Sequence, residues 1–323
     1  MTQQKTFLVT GGAGFIGSHL IDRLLARGDS VVCLDNFDDY YDPAIKRDNI
    51  SRHLESSNYT LVEGDIRDER RLAGTFAINR FDAVIHLAAK AGVRESIQDA
   101  QEYYGVNVIG TVNLLAECAK RGVKKFILAS SSSVYGDSDL PYLAEDTSTD
   151  NPISPYAATK KAGEIACHAA HYNHNIDIAC LRFFTVYGPR QKPGMAISKF
   201  LALIEAGEKV PVFGKGDSSR GYTYISDIIE GIVAALDKAL GFEIINLGGA
   251  DTTEIDELVS IIEQALGKKA VIDRLPRQVC DVQRSRADTS KARRMLGWSP
   301  KVGITEGIGL FAGYNERRQD WAK

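Results

Sequence analysis

The sequence lacks the long apolar runs and the charge surplus that mark two large classes of protein. No stretch approaches the roughly 18 consecutive apolar residues of a membrane span. The net charge of −3 gives no sign of the basic surface that binds nucleic acid. Cysteine is also scarce, because the five cysteines form an odd number and include no C-x-x-C pair. We therefore expect neither a membrane nor a nucleic-acid partner, and neither a disulfide framework nor a zinc site.

Little sequence precedes the first predicted strand. Apolar residues begin just after Thr6, which leaves no room for a cleavable signal peptide, so we expect a cytoplasmic protein. The hydrophobic fraction of 44% and the charged fraction of 25% are typical of a soluble globular protein large enough for a full core.

Short β-rich runs alternate with helical patterns, and each intervening segment is long enough for a crossover helix. The runs cover 6–9, 30–34, 59–62, 83–87, 125–129 and 176–181. This alternation predicts an α/β fold with a doubly wound parallel (Rossmann) sheet and a ligand crevice at the carboxyl ends of its strands. The Gly- and Pro-containing loop 188–194 indicates a change to a smaller C-terminal α/β domain. We expect domains at 1–181 and 182–323, with about 222–250 returning to the large sheet.

The segment from Thr10 to Gly17 reads TGGAGFIG and joins the first strand to a helical pattern. A tight turn from strand to helix needs backbone without side chains, so that Gly11 and Gly14 let a pyrophosphate approach the helix N-terminus. Gly17 lets that helix, which begins with Phe15 and Ile16, pack on the strand. This fingerprint predicts a dinucleotide site.

The second strand ends on Asp35, where a carboxylate can accept hydrogen bonds from both ribose hydroxyls. The same carboxylate would repel a 2′-phosphate, and the following Asn36 and Phe37 provide no arginine to neutralise one. The sequence therefore predicts NAD rather than NADP as the cofactor.

Tyr156 and Lys160 are four residues apart, which places a phenol and an ammonium on one face of a helix. The lysine and a positive nicotinamide ring would both stabilise the phenolate, so we expect the pKa of Tyr156 to move from about 10 toward neutral pH. Upstream, the strand at 126–129 runs into Ser130–Ser133, whose hydroxyls can bond a reacting oxygen. The pattern indicates a tunable base beside a dinucleotide.

Together these motifs resemble the extended short-chain dehydrogenase/reductase family over nearly the whole chain, and within it the nucleotide-sugar epimerases. The resemblance implies that Tyr156 is the base, that Lys160 holds the nicotinamide ribose and lowers the tyrosine pKa, and that Ser131 orients the sugar C4 hydroxyl. It also implies that the rest of the NAD site includes Asn36, Asp65, Ile66, Leu87, Ala88, Ala89 and Asn107.

For a UDP-sugar, the same resemblance implies that Arg220 clamps the diphosphate and that the strand end at 182–185 reaches the sugar. Val212 and Phe213 would lie against the uracil. Asp281 would hold the uridine ribose.

The two positions after Ser131 discriminate among reactions of this family. Its 4,6-dehydratases carry Asp and then Glu there, and its decarboxylases carry Glu at the second position. Here they are Ser132 and Ser133. The site can exchange a hydride and one proton but has no evident catalyst for elimination. We therefore expect C4 epimerisation through a 4-keto sugar, with NAD regenerated in each cycle.

Three features resemble UDP-glucuronate 4-epimerases: Thr185, the run 35–41 and the segment 91–94. The UDP-glucose enzymes usually carry Asn at the position of Thr185. Glucuronate epimerases commonly have Arg before Pro-Asp where this chain has Lys192, which keeps the charge but not the planar fork. We expect Thr185, Arg94 and Lys192 to form a pocket for the sugar carboxylate and the product to be UDP-galacturonate. A UDP-glucose or UDP-N-acetylhexosamine 4-epimerase is the alternative.

Two surface patterns have simpler explanations than a cofactor site. His168, His171 and His174 are evenly spaced on a helix without carboxylate or cysteine companions, so we assign no metal. The apolar faces of 108–119 and 158–170 suit a helix bundle between two subunits, and packing on the sheet explains them equally well. We expect a homodimer. A non-catalytic NAD-binding sensor or scaffold is a minor alternative, disfavoured by the intact catalytic residues.

Overall fold

The computed structural model describes residues 4–249, 251–278 and 282–321, with the backbone alone for 318–321. The strands in these ranges are β1 (Thr6–Thr10), β2 (Ser30–Asp35), β3 (Tyr59–Glu63), β4 (Ala83–His86), β5 (Lys125–Ser131), β6 (Asp177–Phe183), β7 (Val186–Tyr187), β8 (Lys209–Phe213), β9 (Ser219–Arg220), β10 (Thr223–Tyr224), β11 (Phe242–Leu247), β12 (Thr253–Glu254), β13 (Val271–Leu275) and β14 (Arg284–Ser285). The helices are α1 (Phe15–Ala26), α2 (Pro43–Ile50), α3 (Glu69–Ile78), α4 (Glu95–Gln98), α5 (Ala100–Tyr104), α6 (Gly110–Arg121), α7 (Pro155–His174), α8 (Ala196–Ala206), α9 (Ile225–Leu236), α10 (Ile255–Leu266), α11 (Ser290–Leu296) and α12 (Ile304–Trp321).

Seven parallel strands form the large sheet in the order β11-β6-β5-β4-β1-β2-β3. The predicted doubly wound sheet is therefore confirmed, and each of the six predicted runs forms one of its strands. The order reverses between β1 and β4, which is where a doubly wound sheet opens its ligand crevice. The loops after β1, β2, β4 and β5 all reach this edge.

The core fills both faces of the large sheet. Side chains alternate along β1, so that Phe7 and Val9 join one apolar cluster while Leu8 joins the other. Helices on the two faces supply the partners, with Leu20 and Ile21 of α1 in the first cluster. Burial on both faces explains why these strands are almost continuously apolar.

The remaining strands of the described residues form three small sheets. In these, β8 pairs with β13, β9 pairs with β12 and β14, and β7 pairs with β10. The strand β11 then returns to pair with β6 in parallel. The division into 1–181 and 182–323 stays a prediction. None of the helices in the described ranges combines the length and the apolar character needed to cross a membrane.

Candidate active site

The turn from β1 into α1 has the shape that its glycines allow. Gly11 has a φ of +67°, and a Cβ there would approach the Ala88 backbone nitrogen to 2.7 Å. A Cβ on Gly17 would clash with the Gly11 carbonyl oxygen. Gly14 begins α1 without a side-chain cap, and the first turn contains no acidic residue. The helix N-terminus is therefore open to an anion such as a diphosphate.

Asp35, at the end of β2, is held rigidly beside this turn. Its Oδ2 accepts a hydrogen bond from the Ala13 N–H at 3.0 Å, and its Oδ1 accepts one from the Phe37 N–H at 2.9 Å. Burial raises the pKa of Asp35, and these two backbone donors oppose the increase. Each carboxylate oxygen can accept a further hydrogen bond. The side chain thus fits a ribose diol and disfavours a phosphate.

Asp65 and Asn36 form a second polar group on the neighbouring loops. Arg67 binds the Asp65 carboxylate with Nε at 3.0 Å and Nη2 at 2.8 Å, and Asn36 donates to it at 3.0 Å. The Arg67 hydrogen bonds are the main reason that the pKa of Asp65 lies below its usual value. Ile66 is buried next to this group.

These groups line one open cleft with about 790 Å³ of space, part of it open solvent. Nine of the predicted cofactor residues line it: Gly11, Gly14, Asp35, Asn36, Asp65, Ile66, Leu87, Ala88 and Ala89. An open helix N-terminus for a diphosphate and a fixed carboxylate for a ribose are the donor and acceptor set that NAD requires. The residues present therefore fit NAD.

Several residues of this cleft were not predicted as cofactor residues. They are Leu34, Asp38, Tyr40, Tyr41, Lys46, Gly64, Lys90, Ala91 and Val106. The usable signal was the position of 36–41 directly after the strand that ends on Asp35, because loops at that edge of the sheet face the crevice.

Asn107 supports the cleft from behind instead of lining it. The sequence predicts that it lines the NAD site, but its amide is taken up by protein groups. Its Oδ1 accepts from the Lys90 N–H at 2.8 Å, and its Nδ2 donates to the Lys90 carbonyl at 3.0 Å and to the Thr159 hydroxyl at 2.9 Å. Asn107 therefore ties the loop after β4 to α7.

Ser131, Tyr156 and Lys160 come together at the carboxyl end of β5. Ser131 ends that strand, and α7 presents the other two side chains. The Ser131 hydroxyl is close enough to the Tyr156 phenol to lower the pKa of that phenol. The Lys160 Nζ donates to the Ala129 carbonyl at 2.8 Å and lies 5.9 Å from the centre of the Tyr156 ring. The cap of α7 fixes this placement, because the Ser154 hydroxyl accepts from the Ala157 N–H at 3.2 Å.

In the protein without cofactor, the pKa values of Tyr156 and Lys160 differ from those that the sequence leads us to expect. Burial raises the pKa of Tyr156, and the hydrogen bond from Ser131 acts in the opposite direction. Burial also lowers the pKa of Lys160 to about 8, which weakens it as a fixed positive charge. The predicted decrease in the pKa of Tyr156 therefore depends on the positive nicotinamide ring.

His86 is a buried residue behind the site that no sequence motif singled out. Its Nδ1 lies 2.7 Å from the Thr10 hydroxyl and its Nε2 lies 3.0 Å from the Thr111 hydroxyl. Since the Thr111 hydroxyl donates to the Asn107 carbonyl at 2.6 Å, we assign the ring proton to Nε2. Burial lowers the pKa of His86 to about 3, and the charge of Lys160 adds to the decrease.

Arg182 forms a buried ion pair with Glu164 of α7. The sequence predicts that the segment 182–185 reaches the sugar, but the Arg182 guanidinium points into the protein. Its Nε and Nη2 each lie 2.8 Å from a Glu164 oxygen, and both side chains are 1% exposed. Glu164 also accepts from the Ser130 hydroxyl at 2.6 Å. The pair joins β5, β6 and α7 one helical turn from Lys160.

The residues expected at the uracil have different surroundings. Side chains alternate along β8, so that Val212 is fully buried in the core while Phe213 is half-buried. The Arg94 guanidinium lies 5.4 Å from the centre of the Phe213 ring. Phe213 is therefore the accessible member of the pair, and Val212 has no side-chain surface to offer.

The residues expected around the sugar and the diphosphate are spread over several elements. Ser132 and Ser133 begin a short helical turn after β5, and the Ser133 hydroxyl lies 3.1 Å from that of Ser131. The Thr185 carbonyl accepts from the Thr223 N–H at 2.9 Å. Arg220 donates to the Ser219 carbonyl at 2.9 Å. Asp281 lies outside the described residues.

Lys192 lies in the cofactor cleft. Its Nζ donates to the Ala91 carbonyl at 3.2 Å and lies 4.3 Å from the centre of the Tyr40 ring. Thr185, Arg94 and Lys192, which the sequence predicts to share one carboxylate pocket, thus each have separate protein contacts.

Two of the three histidines of α7 lie against Phe242 of β11, and the third, His174, is exposed. The rings of His168 and His171 lie 4.9 Å and 5.8 Å from that of Phe242, and the His171 Nδ1 is 2.8 Å from the Ile176 carbonyl. In the part of the chain that the structure describes, no group of three or more potential ligands is arranged to hold a metal.

Comparison with known proteins identifies the family. The sequence matches the model of the NAD dependent epimerase/dehydratase family over residues 7–248. The chain belongs to this family. It is 41% identical over 318 residues to a UDP-glucuronate 4-epimerase of Thermodesulfobacterium geofontis, covering 98% of this chain and 96% of that protein.

Solved structures of the epimerase/dehydratase family share the fold. The UDP-glucuronic acid 4-epimerase of Bacillus cereus, solved with UDP-glucuronic acid and NAD, superposes with a TM-score of 0.90 at 37% identity, covering 97% of this chain and 99% of that one. The UDP-glucose 4-epimerase of Thermotoga maritima, solved with UDP-glucose, also has a TM-score of 0.90, at 32% identity and the same coverage. NAD is the cofactor of this family, and the cleft described above fits it.

Proposed function

We propose that the protein catalyses the NAD-dependent C4 epimerisation of UDP-glucuronate to UDP-galacturonate. The observation that carries this proposal is the group formed by Ser131, Tyr156 and Lys160, which is followed by Ser132 and Ser133 in place of carboxylates. The relative from Thermodesulfobacterium geofontis and the structure from Bacillus cereus both bear the name of this activity.

The chemistry requires one oxidation and one reduction at the same carbon. NAD, held by the cleft that Gly11, Gly14 and Asp35 line, would supply the acceptor and then the donor of the C4 hydride. Tyr156 accepts the proton of the C4 hydroxyl and gives it back, while Ser131 holds that oxygen by a hydrogen bond. Between the two transfers, the 4-keto sugar rotates about its diphosphate and presents the opposite face of C4. The reaction balances without water or an external reductant.

Ser132 and Ser133 restrict the outcome. Eliminating water requires an acid and a base next to the keto sugar, and serine hydroxyls do not titrate in the useful range. We therefore infer that the substrate and the product have the same mass.

Recognition of glucuronate requires polar groups for the C5 carboxylate. We propose Ser133 and Thr185 as hydrogen-bond donors, because both follow strands that end at the reactive edge of the sheet. Arg94 contributes positive charge from the loop after β4. Phe213, against which Arg94 packs, offers an aromatic face to the uracil. Arg220 offers a planar guanidinium to the diphosphate.

The test is a direct comparison of two substrates. Purified protein is incubated with UDP-glucuronate or UDP-glucose, and the product is identified by NMR and mass spectrometry. We expect kcat/KM for UDP-glucuronate to be higher by at least about a hundredfold, because the neutral sugar leaves a charged hydrogen bond unmade. Thr185→Val should lower kcat/KM for the acid more than for UDP-glucose. A better rate with UDP-glucose would support the UDP-glucose 4-epimerase instead, and loss of water or CO₂ would exclude simple epimerisation.

We further propose that the protein is a cytoplasmic homodimer. Ile109 and Val112, just before and within α6, are 54% and 44% exposed, and Ile165 of the neighbouring α7 is 60% exposed. Such apolar side chains on adjacent helices suit a partner of the same kind. The four described cysteines are buried free thiols, which fits a reducing compartment. Light scattering during gel filtration tests the dimer.

A further inference from the structure

Three loops of different origin meet at the ring of Tyr40. Tyr40 lies in the loop after β2, and its hydroxyl and the Glu95 carboxylate both lie against Gly92 of the loop after β4. The Lys90 Nζ, from that same loop, lies 5.8 Å from the ring centre. The Lys192 Nζ, from the loop after β7, lies 4.3 Å from it. We call Tyr40, Lys90, Glu95 and Lys192 the Tyr40 clasp.

The two lysines of the clasp differ in their counterions. The Lys90 Nζ lies 3.0 Å from the Asp38 carboxylate. Within the described residues, no carboxylate lies within ion-pair distance of Lys192, whose ammonium is bonded to the Ala91 carbonyl at 3.2 Å. Burial lowers the pKa of Lys192 to about 8, although the charge of Glu95, beyond ion-pair distance, acts in the opposite direction. An anion entering the cleft would supply a counterion in direct contact with the ammonium.

The loop that carries Lys192 is fastened to α1. The Arg190 Nη2 lies 2.7 Å from the Asp22 carboxylate, and the His19 Nε2 lies 2.9 Å from the Pro189 carbonyl. Both Asp22 and His19 belong to the helix whose N-terminus forms the diphosphate turn. These contacts hold Lys192 at the cofactor cleft, which it lines together with Gly11 and Gly14.

We propose that Lys192 binds the diphosphate of NAD and that the Tyr40 clasp closes the cleft over the cofactor, so that NAD is retained between turnovers. This inference rests on the NAD-dependent function proposed above. It gives Lys192 a different role from the carboxylate ligand that the sequence predicts. An epimerase regenerates NAD in every cycle, so slow release of NAD does not lower its turnover rate.

The experiment measures exchange of bound NAD in the absence of any sugar. Holoenzyme is mixed with an excess of isotope-labelled NAD, and the labelled fraction is followed by mass spectrometry of the cofactor released on denaturation. The variants are Lys192→Met, Lys192→Arg and Tyr40→Phe. The Tyr40→Phe change keeps the ring but removes the hydroxyl beside Glu95. Lys199→Met is the matched control, because Lys199 is an exposed lysine on the helix that follows the loop.

We expect Lys192→Met to exchange NAD at least about tenfold faster than the wild type, which corresponds to the loss of one charged contact. Lys192→Arg should stay within about threefold of the wild type because it keeps the charge. Tyr40→Phe should be intermediate, and Lys199→Met should be unchanged. Circular dichroism verifies that each variant is folded.

Wild-type exchange in a folded Lys192→Met variant would overturn the proposal. The proposal would also be overturned if Lys192→Met retained NAD normally but lost its preference for UDP-glucuronate over UDP-glucose, because that result places Lys192 at the sugar. Fast exchange in Lys192→Met together with no activity on UDP-glucuronate in the wild type would instead reject the proposed substrate and leave the clasp intact.

Discussion

Replacing Glu164 by Gln removes one charge from an ion pair that water does not reach. Gln is nearly the same size, so the change leaves the Arg182 guanidinium buried, charged and without a counterion. Breaking a buried pair in this way typically costs about 3–5 kcal/mol. This loss is a large part of the free energy of unfolding of a typical domain, which is roughly 5–15 kcal/mol. We therefore expect Glu164→Gln to lower the free energy of unfolding by about 3–5 kcal/mol.

The assay is urea unfolding followed by circular dichroism at a fixed NAD concentration, since bound cofactor adds to the apparent stability. Glu230→Gln is the control, because Glu230 pairs with Arg23 at the surface with side-chain exposures of 54% and 39%. Loss of that pair should cost no more than about 1 kcal/mol.

A double variant separates the unpaired charge from the loss of packing. Glu164→Leu with Arg182→Leu removes both charges, and replacing a buried pair by apolar side chains is often neutral. The double variant should therefore be more stable than Glu164→Gln. A loss below about 1 kcal/mol for Glu164→Gln, or a double variant as unstable as the single one, would refute the reasoning.

Three other predictions concern the cofactor site and its surroundings. Tyr156→Phe should lower turnover by about a hundredfold or more while folding and NAD content stay normal, and wild-type turnover would remove Tyr156 from the mechanism. Denatured protein should release NAD in roughly stoichiometric amounts, and NADP in its place would contradict the role of Asp35. The unfolded chain takes up a proton at His86 near the ordinary pKa of 6.5, whereas the folded protein does so only near 3, so this group makes stability fall as pH falls between these values. His86→Gln should reduce that slope by up to about 1.4 kcal/mol per pH unit in denaturant titrations, and an unchanged slope would exclude His86 as a source of acid sensitivity.

The positions that can be read from the sequence alone are those that depend on neighbouring residues. Gly11, Gly14 and Gly17 are constrained by one turn, and Tyr156 and Lys160 by one helical repeat, so local sequence is sufficient to place them. The strands of the large sheet are visible for the same reason, because burial on both faces produces short apolar runs.

The features that were missed depend on contacts between distant segments. Glu164 follows Lys160 by one turn, but its partner Arg182 lies on the next strand, and only the fold shows that both are buried. Lys192 carries the charge expected of a carboxylate ligand, yet the anchoring of its loop on α1 directs it to the cofactor cleft. The burial of Val212 was not foreseen, because the alternation of side chains along β8 separates it from Phe213 only once the face of the strand that packs on the core is known.

The position of β11 has a consequence for how such a protein can diversify. It pairs directly with β6, yet 58 residues separate the two strands along the chain, and these residues carry Thr185, Lys192, Phe213 and Arg220. Three of the proposed substrate contacts, Thr185, Phe213 and Arg220, therefore lie in one segment between two adjacent strands of the cofactor sheet. Its length and side chains can change while both ends stay fixed by hydrogen bonds. Contacts to the substrate can thus change within one contiguous stretch, while the turn at Gly11 and the group of Ser131, Tyr156 and Lys160, which lie outside it, stay unchanged.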